Sequence, residues 1–83
     1  MKVFPNPAKT VTTIQVEVDC KCKAEIFLYN SFGKEVYREE NIVLLHPGTN
    51  EYHINCAPFS PGTYQFRLVA EKKVFTTNIV IKR

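Results

Sequence analysis

Tryptophan is absent from this chain, methionine occurs once, glycine only three times, and no apolar run approaches the ~20 residues a helix needs to cross a bilayer. The longest such runs are Ile42–Leu45 and Ile79–Ile81, so no transmembrane helix is expected. Without tryptophan there is no Cys…Trp…Cys spacing of an antibody domain, which leaves immunoglobulin likeness as a matter of architecture alone. Three glycines, all in turn contexts, leave no phosphate-cradling loop. No block of one charge exists either: eleven Lys and Arg face eight Asp and Glu, a net +3 spread along the chain. Lys21/Lys23 and Lys72-Lys73 are short clusters next to acids, not the basic stripe of a nucleic-acid reader, so no nucleic-acid partner is expected. The opening Met1–Pro7 has one lysine but no apolar stretch and no small-residue cleavage site, and does not read as a signal peptide.

What is present suits one small folded domain spanning residues 1–83, with 45% apolar and 23% charged residues. Its three cysteines are an odd number, so at least one stays a thiol or pairs outside the chain. Read as part of one continuous strand, Cys20 and Cys22 would have Cα atoms about 6.6 Å apart, near the upper limit for a bridge and with poor geometry for one, and a pairing of Cys56 with either is equally open, so the sequence leaves the disulfide state undetermined. Together with Cys56, His46 and His53 they formally allow a zinc site or a Cys/His nucleophile. The spacing supports neither, because structural zinc sites use two close pairs on tight turns, and nothing marks an oxyanion hole. No catalytic residue, metal or cofactor is expected. Glu39-Glu40 reads as a solvated edge, and no Asp-x-Asp calcium loop occurs.

Apolar positions repeat with period two, not 3.6, which predicts an all-β chain. Strands are predicted over Val11–Val18, Ala24–Tyr29, Lys34–Glu39, Asn41–Leu45, Glu51–Asn55, Thr63–Ala70 and Val74–Lys82. Ala24–Tyr29 is apolar on both faces and reads as central, while Val36 is the expected anchor of the strand after it. The connections are Asn30–Gly33, His46–Asn50, Ala57–Gly62 and Glu71–Lys73, with Gly33 placed for the positive φ of a hairpin turn. Phe27, Tyr29, Tyr64, Phe66 and Phe75 fall at strand periodicity and read as core. Seven short strands at this spacing predict a small Ig-like antiparallel β-sandwich.

Three segments in order carry more specific information. They are Phe4-Pro5-Asn6-Pro7-Ala8 leading into Ile14-Gln15-Val16, Ala24–Val36 with Asn30-Ser31-Phe32-Gly33-Lys34 at its turn, and Pro61-Gly62-Thr63-Tyr64-Gln65-Phe66 closing on Ile79-Val80-Ile81-Lys82-Arg83. In that order and spacing the chain resembles the C-terminal sorting domain of type IX secretion system cargo from Bacteroidetes. The resemblance implies a non-enzymatic export signal at the end of a larger secreted protein. Cargo would pass through the periplasm, be recognised by translocon or shuttle components, and cross the outer membrane. A sortase-like cysteine peptidase would cut near or before Met1 and attach the cargo to the cell surface. The cargo's own signal peptide would lie elsewhere in that protein.

By position, Gly62 and Tyr64 match the family's Gly-x-Tyr element, Gly33-Lys34 its Gly-Lys turn, and Lys82-Arg83 its basic end. Pro5, Asn6 and Pro7 belong to the first segment, and Ile79, Val80 and Ile81 to the terminal strand that the machinery would read. On this view Gly62 permits a tight approach into its strand and Tyr64 anchors it. The family often has Asp where Asn30 stands, and the cysteines are outside its pattern. The alternative is an extracellular sandwich retained as a spacer or adhesion module, which would keep its mass in the mature protein. In either case open edge strands offer a route to a homodimer or to a receptor by strand addition.

Overall fold

Alternating side chains bury one face of each long strand, and in a computed structural model describing residues 1–82 they assemble eight strands with no helix among the described residues. The strands are β1 (Lys2–Phe4), β2 (Val11–Val18), β3 (Cys22–Tyr29), β4 (Glu35–Arg38), β5 (Val43–Leu45), β6 (Gly48–Asn55), β7 (Gly62–Ala70) and β8 (Lys73–Ile81). One sheet has the order β1-β2-β6 and the other β4-β3-β7-β8, with β5 joining β3 on the flank β4 uses. All strand pairs are antiparallel.

The facing surfaces form one core, as a sandwich requires. Ile14, Val16, Val18 and Ile54 come from the smaller sheet, and Ile26, Leu28, Phe66, Leu68, Ile79 and Ile81 from the larger. Thr12, buried without any exposure, is accommodated because its hydroxyl donates to the carbonyl of Pro5 at 3.0 Å. Among the described residues no helix is long and apolar enough to cross a membrane.

The predicted all-β sandwich and its seven strands are present, with differences that have local causes. β1 was not expected, because three residues show no periodicity; they pair with Thr13–Gln15 through tertiary contact. β6 begins at Gly48 instead of Glu51, since Gly48, Thr49 and Asn50 continue the ladder opposite Val18, Glu17 and Val16. The corner itself is tightened by buried Asn50, whose amide donates to the carbonyls of His46 and Gly48 and whose oxygen accepts from the His46 N–H. Val36 is only partly buried and shares the anchoring of β4 with Tyr37, where a register shift lies opposite Leu28 and Tyr29. Phe27 and Tyr29 do not enter the core; they are half-buried on the outer face of the larger sheet.

Of the cysteine pairings that the sequence leaves open, the structure takes the one that a continuous strand disfavours. Cys20 and Cys22 form a disulfide, with Cα atoms 5.6 Å apart. The chain bends at Asp19 and Cys20 before β3 starts at Cys22, so the two residues do not share one extended strand. Cys56 is buried against the core and its Sγ donates to the Ile54 carbonyl at 3.7 Å.

Candidate functional site

The two ends of the chain lie side by side along β8. On its inner flank β8 pairs with β7, setting Gly62 opposite Ile81, Thr63 opposite Val80 and Tyr64 opposite Ile79. On its outer flank the segment Pro5–Ala8 runs past it, with Ala8 in a parallel bridge to Ile81. The Ala8 N–H donates to the Val80 carbonyl at 2.7 Å, and the Lys82 N–H donates to the Ala8 carbonyl at 2.9 Å. The Val80 N–H donates to Asn6 Oδ1 at 2.9 Å, so a side chain takes the place of a main-chain acceptor. Pro5 and Pro7 have no N–H of their own to satisfy in this arm, which suits an exposed edge position. The arm is fixed behind by the Thr12 hydroxyl on the Pro5 carbonyl. The Cys56 N–H on the Thr10 carbonyl at 2.6 Å secures the chain just after it.

This arrangement brings together Pro5, Asn6, Pro7, Gly62, Tyr64, Ile79, Val80, Ile81 and Lys82, drawn from distant parts of the sequence. Their side chains divide sharply in accessibility. Ile79 and Ile81 are 1% and 2% exposed and belong to the core, whereas Lys82, Pro5, Asn6 and Pro7 are exposed and Val80 is intermediate. Arg83 lies outside the described residues.

Tyr64 anchors its strand through a chain of rings. Its hydroxyl donates to the Ser60 carbonyl at 2.5 Å, and its ring lies 5.8 Å from that of Phe59. Phe59 meets Tyr37 edge-on at 6.3 Å, and the Tyr37 and Tyr52 hydroxyls are 2.9 Å apart, joining the two sheets. Burial, then the bond to Tyr37, pushes the Tyr52 hydroxyl well above its ordinary pKa. The Ser60 and Phe59 partners were not singled out in the sequence, where the Ala57–Gly62 corner offered only turn residues as a signal.

Gly62 corrects its expected role. A Cβ there would meet only Tyr64 Cε1 at 3.9 Å, an ordinary contact, so close approach is not what calls for glycine; its φ of 158° is the distinctive feature. Gly33 has the anticipated positive φ of 81°. Its turn is closed by Asn30, whose Oδ1 accepts from the N–H groups of Phe32 at 2.9 Å and Lys34 at 3.0 Å. A carboxylate oxygen could accept the same bonds, which makes Asn30 equivalent to the Asp common in the resembling family. Gly33 and Lys34 sit at the same end of the sandwich as the start of β7, because Tyr29 at the end of β3 pairs with Gln65.

Among the described residues no three His, Cys, Asp or Glu side chains gather as metal ligands, and Cys20 and Cys22 are bonded to each other. A family model for the secretion system C-terminal sorting domain matches residues 2–82, nearly the full length. No curated protein and no solved structure matches the chain.

Proposed function

The chain belongs to the family of type IX secretion system C-terminal sorting domains, and we propose that it is the removable export signal of a larger cargo protein. Cargo carrying it waits in the periplasm, is recognised by translocon or shuttle components, and crosses the outer membrane. A sortase-like cysteine peptidase then cuts near or before Met1 and leaves the cargo on the cell surface. Such a role asks the domain to be recognised, not to catalyse. The observation that carries this reading is the family match over residues 2–82; the pairing of Pro5–Ala8 with Val80–Lys82 supports it by ordering the terminal strand.

Within that site, the residues divide the labour. Lys82 and Arg83 supply the charge to be read, while Ile79 and Ile81 hold the strand in the core, and Gly62, Tyr64, Gly33 and Lys34 shape the end that presents it. Replacement of Lys82 and Arg83 by glutamine is therefore the clean test, because it removes the charge while keeping the Lys82 main-chain N–H on the Ala8 carbonyl and both buried isoleucines. A reporter directed to the periplasm and fused ahead of residues 1–83 is expected on the surface of a type IX-competent cell, with the domain's mass removed. The same fusion carrying Lys82→Gln and Arg83→Gln is expected to remain in the periplasm with the domain folded. Retention of the intact fusion in the periplasm, or a surface reporter that keeps the domain's mass, would favour the spacer or adhesion module instead.

A further partner is a second copy of the domain. Val80 directs its N–H and C=O away from β7, so by strand alternation Val74, Thr76 and Asn78 do the same. That stretch of the β8 edge lies beyond the Pro5–Ala8 arm and is the place for strand addition.

A further inference from the structure

The outer face of the larger sheet carries an arrangement that the strand-end site does not use. Phe27 and Tyr29 are stacked with centroids 6.3 Å apart. Arg38 lies over Phe27 at 5.1 Å and Arg67 over Tyr29 at 5.6 Å, the four side chains crossing three adjacent strands. The two guanidinium groups are not equivalent. Arg38 is held by Glu35 at 3.0 Å, whereas Arg67 has no carboxylate within ion-pair distance among the described residues. Arg67 also borders a shallow depression of about 420 Å³ walled by Tyr29, Asn30, Thr63, Gln65 and Asn78, and no acidic residue lines it. Gly33 and Tyr64 line the same depression, which places it beside the family's turn and strand elements.

We propose that this depression is where an acidic segment of a partner protein docks, a carboxylate side chain binding the Arg67 guanidinium while the partner's surface lies on Tyr29 and Phe27. The proposal rests on the sorting role and deepens it by naming a recognition surface distinct from the terminal strand. A guanidinium already held over an aromatic ring is positioned at low entropic cost and offers a planar fork that matches a carboxylate. Arginine and tyrosine are also the residues that concentrate binding energy at protein interfaces. A single cation in the depression suits one carboxylate better than a polyanionic glycan or lipid, which would need several.

The test uses the reporter fusion with the whole domain and three variants, Arg67→Gln, Arg67→Lys and Thr76→Glu. Thr76 is exposed and directly opposite Arg67 on β8, so Glu there occupies the guanidinium from within the domain without removing it. Export is expected to fall about ten- to a hundredfold for Arg67→Gln and Thr76→Glu, with Lys restoring it only in part. Melting temperatures of the purified variants are expected to stay near that of the parent, with Thr76→Glu no less stable, which separates docking from folding. Excess free domain in the periplasm should compete with export of the parent fusion, and free Arg67→Gln domain should not. Export of the parent fusion together with undiminished export of the Thr76→Glu and Arg67→Gln fusions would overturn this surface while leaving the sorting role intact. Failure of the parent fusion to export would remove the sorting role and this proposal with it. Arg67-dependent sedimentation of the purified chain with lipopolysaccharide vesicles would replace the protein partner with a phosphate-bearing lipid.

Discussion

Asn6 is exposed, yet its side-chain oxygen takes the Val80 N–H and so ties the entry of the chain to its end. A solvent-accessible bond of this kind contributes about 0.5–1 kcal/mol. Asn6→Ala is therefore expected to lower the melting temperature by about 2–8 °C in a domain of this size, and to raise hydrogen exchange at Val80 more than at Phe66 in the core. Asp at position 6 keeps the acceptor and should restore the protection of Val80; no change in exchange in Asn6→Ala would show that the arm is not held by this bond. Tyr52 gives a prediction in pH. Its hydroxyl is raised in the folded state by burial and by Tyr37, against about 10 in the unfolded chain. The unfolded chain thus gives up this proton first, so stability is fully present below about pH 10 and falls as pH rises beyond it. Melting temperatures measured from about pH 8 to 11 should decline more steeply for the parent than for Tyr52→Phe, the difference opening near the unfolded-state pKa. Parallel curves would mean that Tyr52 titrates alike in both states.

At the scale of elements, legibility followed periodicity. β2, β7 and β8 were readable because each is long enough to alternate, and their inward residues Ile14, Val16, Phe66, Leu68, Ile79 and Ile81 are all buried. β1 was not, since three residues carry no period and its pairing is decided by β2. The motif segments were visible one by one, but that Pro5–Ala8 lies against Val80–Lys82 depends on main-chain groups that every sequence has. Phe27 and Tyr29 were misread as core because alternation cannot tell an apolar outer face from an inner one when the strand is central. The Cys20–Cys22 bridge was not legible because it depends on a bend at Asp19 and Cys20 that no glycine or proline marks. Its loop is so short that closing it removes little freedom from the unfolded chain, about 1.5 kcal/mol on the chain-entropy view. Reduction is accordingly expected to leave both sheets folded and to lower the melting temperature by about 6–12 °C. Loss of cooperative unfolding on reduction would mean that the bridge also organises β3.

For the whole molecule the decisive quantity is how much sheet edge stays open. A sandwich with extents of 36 × 23 × 18 Å has little core relative to its surface, and its edge strands present main-chain groups that can pair with another chain. The larger sheet meets this in two ways. One flank of β3 is covered by β4 and β5 end to end, and the C-terminal part of β8 is covered by the Pro5–Ala8 arm. What remains on β8 is the Val74–Asn78 edge, long enough for a short ladder but not for the full pairing that β7 makes on the other side. Self-association of the intact domain is therefore expected to be weak and concentration-dependent by light scattering. Removing residues 1–8 uncovers the outward groups of Val80 and Lys82, extends the open edge to Lys82, and should strengthen the dimer. Thr76→Pro, which removes an N–H directed away from β7, should abolish it while sparing the β7–β8 ladder. A monomer at every concentration, with and without the arm, would sink edge pairing between copies and leave the β8 edge to a receptor. Arm and edge then have a joint consequence: the contact that orders the terminal strand for recognition is also the contact that limits its pairing with the wrong partner.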